Sequence, residues 1–217
     1  MTRTLALHQR TGHRAVVWLA AAAAAACLYG CAPLVVGGAM VGGTMVALDR
    51  RTTGAQVEDQ SIESKASSRA REIVGDRGHV NVTSYNRAVL LTGEVPNESD
   101  KIAIEQAVQR VENVRSTVNE LAVALPSSMS ARSNDSYLTT KVKATFVDAK
   151  DLQANAFKVV TERSSVYLMG RVTEREATRA TDLARTVSGV QKVVRVFEVV
   201  SEAELADAQP KADTTKK

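Results

Sequence analysis

The sequence predicts an α+β protein made of two tandem αββαβ units, each a small three-stranded mixed sheet with two helices on one face. Three observations carry this expectation. First, Val89-Leu90-Leu91-Thr92-Gly93-Glu94-Val95 reappears as Val166-Tyr167-Leu168-Met169-Gly170-Arg171-Val172, an offset of 77. Second, the apolar positions around this segment repeat as well. Ile104, Ala107, Val108, Val111 and Val114 match Ala180, Leu183, Ala184, Val187 and Val190 at offset 76. The change of one residue falls near Pro96-Asn97, in a turn, where insertions are best tolerated. Third, helical and strand periodicities follow in the same order in both halves, the mark of a duplicated supersecondary unit.

The elements can be justified in order. A first helix is expected over about 57–74 and again over 134–148, where Leu138, Val142 and Phe146 recur at i, i+4 and i+8 and face the core. Two short alternating strands follow, at 79–84 and 88–94, then at 156–162 and 165–171. They are joined by Asn86-Arg87 or Arg163-Ser164, short enough for hairpins. Gly93 and Gly170 read as residues that let the chain turn tightly. A second helix spans about 98–111 and 174–188, the latter opened by the capping box Thr173-x-x-Glu176. A last strand, 116–124 or 192–200, lies across that helix from the second strand, so the crossover makes the pair parallel. A unit of roughly 65 residues is marginal for one core. Contact between the repeats is therefore expected to add stability.

Charge and composition narrow the function. The 217 residues carry 28 Lys+Arg and 24 Asp+Glu, a net of +4 with a pI near 9.2. A basic pI suggests nucleic acid, but Arg3, Arg10 and Arg14 account for most of the excess and residues 31–217 carry only +1. Nucleic-acid binding is not expected. Two cysteines exclude a disulfide scaffold and a four-cysteine metal site. Beyond the leader, His79 is the only histidine. It opens a strand, has Ala156 as its counterpart, and is expected to be solvated. Ser/His/Asp, Cys/His and histidine-based zinc sites therefore lack support, and neither enzymatic activity nor a cofactor or metal is expected. Glu174 and Glu176 sit where a helix start favours acids.

The N-terminus reads as an address. Polar, basic residues 1–14 precede an uncharged alanine-rich stretch, Ala15–Tyr29, as in a secretory signal. The stretch falls short of the roughly 20 residues needed to span a bilayer. Leu28-Tyr29-Gly30-Cys31 resembles the bacterial lipobox. That resemblance implies cleavage after residue 30 and acylation of Cys31. Ala32, in place of aspartate, implies the outer rather than the inner membrane, on its periplasmic face. The glycine-rich run 32–48 points to a flexible membrane-proximal tether over 31–56, with a membrane hairpin packed through Gly38 and Gly42 as the alternative, and residues 201–217 are small, polar and expected to be disordered.

The Val-Leu-Leu-Thr-Gly and Val-Tyr-Leu-Met-Gly segments and the closing Val-rich strands resemble the BON domain, at 57–125 and 131–200. Two such domains behind a lipobox resemble the dual-BON outer-membrane lipoproteins. The resemblance implies binding of anionic phospholipid (phosphatidylglycerol, cardiolipin) by the second domain, enrichment at the division site and a role in envelope integrity. The alternative it leaves open is an adaptor for outer-membrane assembly proteins or for peptidoglycan amidase regulators.

The copies differ in charge. Residues 57–125 hold 8 basic and 11 acidic side chains, net −3; residues 131–200 hold 12 and 8, net +4. On the first helix of the second unit, Tyr137, Lys141, Ala144 and Val147 form a stripe beside Lys143, mixing an aromatic ring, basic heads and aliphatic surface. The first unit has Ser61, Lys65, Ser68 and Arg71 there. The lipid contact is therefore expected on the 137–147 segment. The family often carries tryptophan where this chain has Tyr137.

Overall fold

The computed structural model of the chain describes residues 49–208. Cys31, the signal 1–30 and the run 32–48 lie outside the described residues. The order is α1 (Thr53–Val74), β1 (His79–Tyr85), β2 (Ala88–Val95), α2 (Glu98–Gln109), β3 (Ser116–Asn119), β4 (Ala122–Val123), α3 (Met129–Asp148), β5 (Lys158–Glu162), β6 (Ser165–Val172), α4 (Glu174–Thr186), β7 (Lys192–Val199) and α5 (Glu202–Ala208). In each unit an antiparallel hairpin is followed by a parallel strand beside its second member, giving the orders β1-β2-β3 and β5-β6-β7. The αββαβ arrangement is present twice.

Four differences from the sequence expectation have local causes. Helices α1 and α3 begin earlier than 57 and 134, because Thr52 and Ser128 cap them through hydrogen bonds from Ala55 N and Ala131 N. The strand expected at 116–124 is split at Glu120-Leu121. Asn119 there accepts from Leu121 N and donates to Lys101 O and Glu105, while the parallel register with β2 is kept. The segment after 200 is not wholly irregular: Ser201 and Glu204 bond reciprocally to start α5, and Leu205 is buried. Gly93 and Gly170 lie inside central strands rather than at turns. A Cβ on either would run into a backbone carbonyl, of His79 or of Ala156, so glycine permits close approach of the neighbouring chain.

One buried carboxylate per unit ties the first helix to the hairpin. Asp59 accepts hydrogen bonds from Asn86 N, Arg87 N and Ser84 Oγ at 2.7–2.8 Å. Asp135, its counterpart at offset 76, accepts from Arg163 N and Ser164 N at 2.8–2.9 Å. Both turn residues in each hairpin have positive φ: 48° and 66°, then 52° and 58°. That hand suits the twist of a two-residue hairpin, but it costs a non-glycine residue about 1 kcal/mol. The carboxylate offsets the cost by satisfying the N–H groups that the turn points inward.

The central strands are buried on both faces. Val89, Leu91 and Val95 pack under α1 and α2, and Val166, Leu168 and Val172 under α3 and α4. On the opposite faces Tyr85 and Leu90 meet Tyr167 and Met169, flanked by Val118, Val160, Val194 and Val196. The helix-free faces of the two sheets thus pack together in an α/β/β/α stack. Polar pairs rim the contact: Asn81–Glu162 at 2.8 Å, Lys158–Glu63 at 2.8 Å, Asn86–Glu198 at 2.6 Å and Lys192–Glu120 at 3.2 Å.

Replacing Asp59 with alanine should lower unfolding free energy by about 3 kcal/mol, and Asp135→Ala by about 2 kcal/mol, in urea melts. Burial alone would raise the Asp59 carboxyl, but hydrogen bonds from Ser84, Arg87, Arg51 and Asn86 hold it below its ordinary value of 3.8. A carboxyl depressed by folding stabilises above its unfolded value. Asp59's contribution should therefore be lost as pH falls below 3.8, and the wild type should lose more stability there than Asp59→Ala does.

Candidate functional site

Helix α3 carries the candidate site. Leu138, Val142 and Phe146 are buried, as the periodicity predicts, and turn the opposite side outward. Of the residues expected on the exposed stripe, Tyr137 is 62% and Val147 71% accessible, and Lys143 and Ala144 are exposed. Lys141 is half-buried. Its ammonium donates to Ser188 O at 2.9 Å and lies 5.5 Å from the centre of the Tyr137 ring. Sequence reasoning missed Met129. With the helix starting there, Met129 is 75% accessible and sits about five full turns before Val147, on the same side. The missed signal was the Ser128 cap.

The charges of the second unit are distributed unevenly. Several of its cations are engaged by carboxylates of the first unit: Lys158 with Glu63, Arg163 with Glu94, Lys192 with Glu120. Others pair within their own unit, as Arg171 with Glu198, Arg179 with Asp151 and Arg195 with Glu174. Among the described residues, the basic side chains of 131–200 with no carboxylate in ion-pair reach are Arg132, Lys141, Lys143 and Lys150. All four lie on α3 or just beyond its end. The net charge of +4 therefore overstates the free charge of this unit as a whole and understates how it concentrates on one helix.

The end of the expected tether is not free. The Arg50 guanidinium bonds both Glu176 oxygens at 2.7 and 2.8 Å, Gln153 Oε1 at 2.8 Å and Arg171 O at 3.0 Å, and its side chain is only 7% accessible. Arg51 pairs with Asp49 and Asp59 and stacks 4.3 Å above the Tyr85 ring. The expected tether 31–56 is thus corrected at its C-terminal end: from residue 49 the chain is clasped to both units. The Arg50 hydrogen bonds, opposed by burial, hold the Glu176 carboxyl below the ordinary range. Glu176 also completes the capping box of α4 with Thr173. Gln153 belongs to the segment that follows α3, so the clasp sits next to the end of the candidate helix.

His79 corrects a second expectation. It is not solvated but half-buried at the junction of the units, opposite Glu94 across the hairpin, with Glu162 beside them. Burial and the nearby Arg132 push its imidazole below the ordinary range. Burial and the neighbouring Glu94 push Glu162 up.

A duplicated αββαβ fold, stacked sheet to sheet and presenting one basic, partly apolar helix, defines a tandem-repeat α+β module. The chain belongs to the BON-domain family, whose model matches residues 58–124 and 134–201. It is 41% identical over 173 residues to the outer membrane lipoprotein DolP of Haemophilus influenzae, covering 78% of this chain and 89% of that one. It is 30% identical over 155 residues to the 21 kDa hemolysin of Actinobacillus pleuropneumoniae, covering 70% and 80%. Among solved structures it resembles CdsD, a structural protein of the type III secretion system of Chlamydia trachomatis. That likeness has 11% identity and a TM-score of 0.29, and covers 67% of this chain and 98% of CdsD.

Arg50→Ala leaves the Glu176 carboxylate buried without its cation. It should cost about 3 kcal/mol in chemical denaturation and raise amide exchange across residues 49–56.

Proposed function

We propose that the protein is a non-catalytic outer-membrane lipoprotein, anchored through acylated Cys31 on the periplasmic face, that supports envelope integrity. In this reading the second BON domain binds anionic phospholipid through α3, and the protein is enriched at the division site. The observation that carries the lipid contact is the coincidence on one helix of Lys141 and Lys143, free of carboxylate partners, with exposed Met129, Tyr137 and Val147, and Lys150 just beyond its end. Each lysine near an anionic surface gains about 1 kcal/mol. The tyrosine ring and the aliphatic side chains suit the boundary between headgroups and acyl chains. Such a contact is weak in free solution. It suffices when an acyl anchor holds the domain at high local lipid concentration. The similarity to DolP supports the outer-membrane placement.

The test uses residues 45–217, which contain the whole compact unit and no anchor. This fragment should float with vesicles containing phosphatidylglycerol and not with neutral vesicles. Tyr137→Glu with Lys141→Glu and Lys143→Glu should reduce binding at least tenfold, and 0.5 M salt should weaken the wild type. Equal binding to neutral and anionic vesicles, or an unaffected triple variant, defeats the proposal. In cells, a photo-crosslinker at Tyr137 should capture lipid. Protein adducts without lipid adducts would favour the adaptor reading instead.

A further inference from the structure

A second constellation lies away from α3's exposed stripe, where the two units meet. His79 is the first residue of β1, and Glu94 is its cross-strand partner near the end of β2. Glu162 ends β5 of the other unit. One ligand-capable atom from each lies within 4.8 Å of the others. Glu94 is 0% accessible, and its Oε1 makes no hydrogen bond; His79 Nδ1 is likewise buried without a partner. The remaining carboxylate oxygens are oriented: Ser127 N donates to Glu94 Oε2 at 3.2 Å, and Asn81 Nδ2 donates to Glu162 Oε2 at 2.8 Å. Gly93 leaves room here, since a Cβ at that position would stand 3.4 Å from His79 Nδ1. A cavity of about 210 Å³, lined in part by His79, Asn81, Arg132 and Glu162, reaches the cluster.

We infer that His79, Glu94 and Glu162 form a divalent-metal site, suited to Zn²⁺, that bridges the two BON domains. An imidazole with two carboxylates is a donor set of borderline hardness, matched by Zn²⁺ better than by Mg²⁺ or Ca²⁺, which prefer all-oxygen sites. Zinc bound at 2.0–2.1 Å places tetrahedral ligand atoms roughly 3.3 Å apart. The ligand-capable atoms, all within 4.8 Å of one another, close to that by small side-chain rotations. The oriented second oxygens are what a metal site needs outside its ligands. Two cations face the cluster. Arg163 lies 3.5 Å from Glu94 Oε1 but is half exposed, so it can yield its place to solvent. Arg132 borders the cavity from α3. Because the ligands come from both units, bound metal would hold the sheet-to-sheet contact closed.

The test is calorimetric titration of ZnCl₂ into the processed, acylated chain from Cys31 onward, stripped of metal by chelator and kept in detergent micelles. One saturable site is expected, with affinity at least tenfold weaker in His79→Ala and in Glu162→Gln, and tighter in Arg163→Ala. On the proposed reading, processing removes His8, His13 and Cys27 and acylation occupies the Cys31 thiol, so the loss reports this cluster. Zinc should raise the melting temperature of the wild type and not of Glu162→Gln, whose side chain keeps the wild-type size should His79→Ala fail to fold. MgCl₂ at the same concentration should do neither. Absence of saturable binding, or equal zinc affinity in wild type and Glu162→Gln, overturns the inference.

Discussion

The fold depends on one interaction made twice: a buried aspartate on the first helix that receives the inward-pointing N–H groups of the hairpin turn. Asp59 and Asp135 do for the hairpins what a glycine would do less specifically. They make a left-handed pair of residues tolerable and at the same time fix where the helix crosses the sheet. A slip of one residue in either hairpin would exchange the two faces of its strands. Val89 and Leu91 would leave the helices, and Leu90 would leave the other domain. The latch therefore sets both cores at once. Arg51, which pairs with Asp59 in the first unit, has no counterpart ahead of Asp135. The first latch thus ties in the segment that leads from the N-terminus as well as the hairpin.

The second level of organisation is the contact between sheets. Leu90 and Tyr167 occupy matching places in the repeat and meet in the same cluster. Asn81 and Lys158, also matching, reach across in opposite directions, to Glu162 and to Glu63. Units of this size gain by burying a second face. The gain is paid for in polarity: Glu94, with no exposed surface, ends on the buried side of a central strand among His79, Arg163 and Glu162. Opposite charge on the two repeats thus has a structural meaning before any functional one, because acids of the first domain neutralise bases of the second.

The sequence made the repeat, the element order and the helical core positions legible, because period and spacing survive duplication. It did not reveal which strands are buried on both faces. Val-Leu-Leu and Val-Tyr-Leu-Met fit into alternating strands, whereas continuous apolar runs are equally the mark of a strand covered on each side. Helix starts were missed at Thr52 and Ser128, since a serine or threonine cap gives little signal without the apolar run beside it, and Met129 was lost with the second of them. The Arg50 clasp joins residues more than a hundred positions apart and has no local pattern at all. Asp59 and Asp135 were visible in principle, as an identical acid at the repeat offset on an otherwise apolar helix face.

Stacking sheet on sheet leaves both helical layers outward, so the fold by itself does not favour one side for a membrane. What distinguishes the sides is side chains: α1 offers Ser61, Lys65, Ser68 and Arg71, and α3 offers Tyr137, Lys141, Ala144 and Val147 at the matching places. On the proposed reading, an acyl anchor alone would let either layer meet the lipid, and a weak lysine-and-tyrosine contact would be diluted among orientations. The Arg50 clasp changes that balance. It delivers the chain to Glu176 and Gln153, beside the end of α3, so the short path from anchor to body arrives at the helix with the unpaired lysines. A contact worth only a few kcal/mol then needs to overcome little orientational entropy. On that reading the bias toward α3 would come from a buried ion pair inside the protein rather than from the lipid.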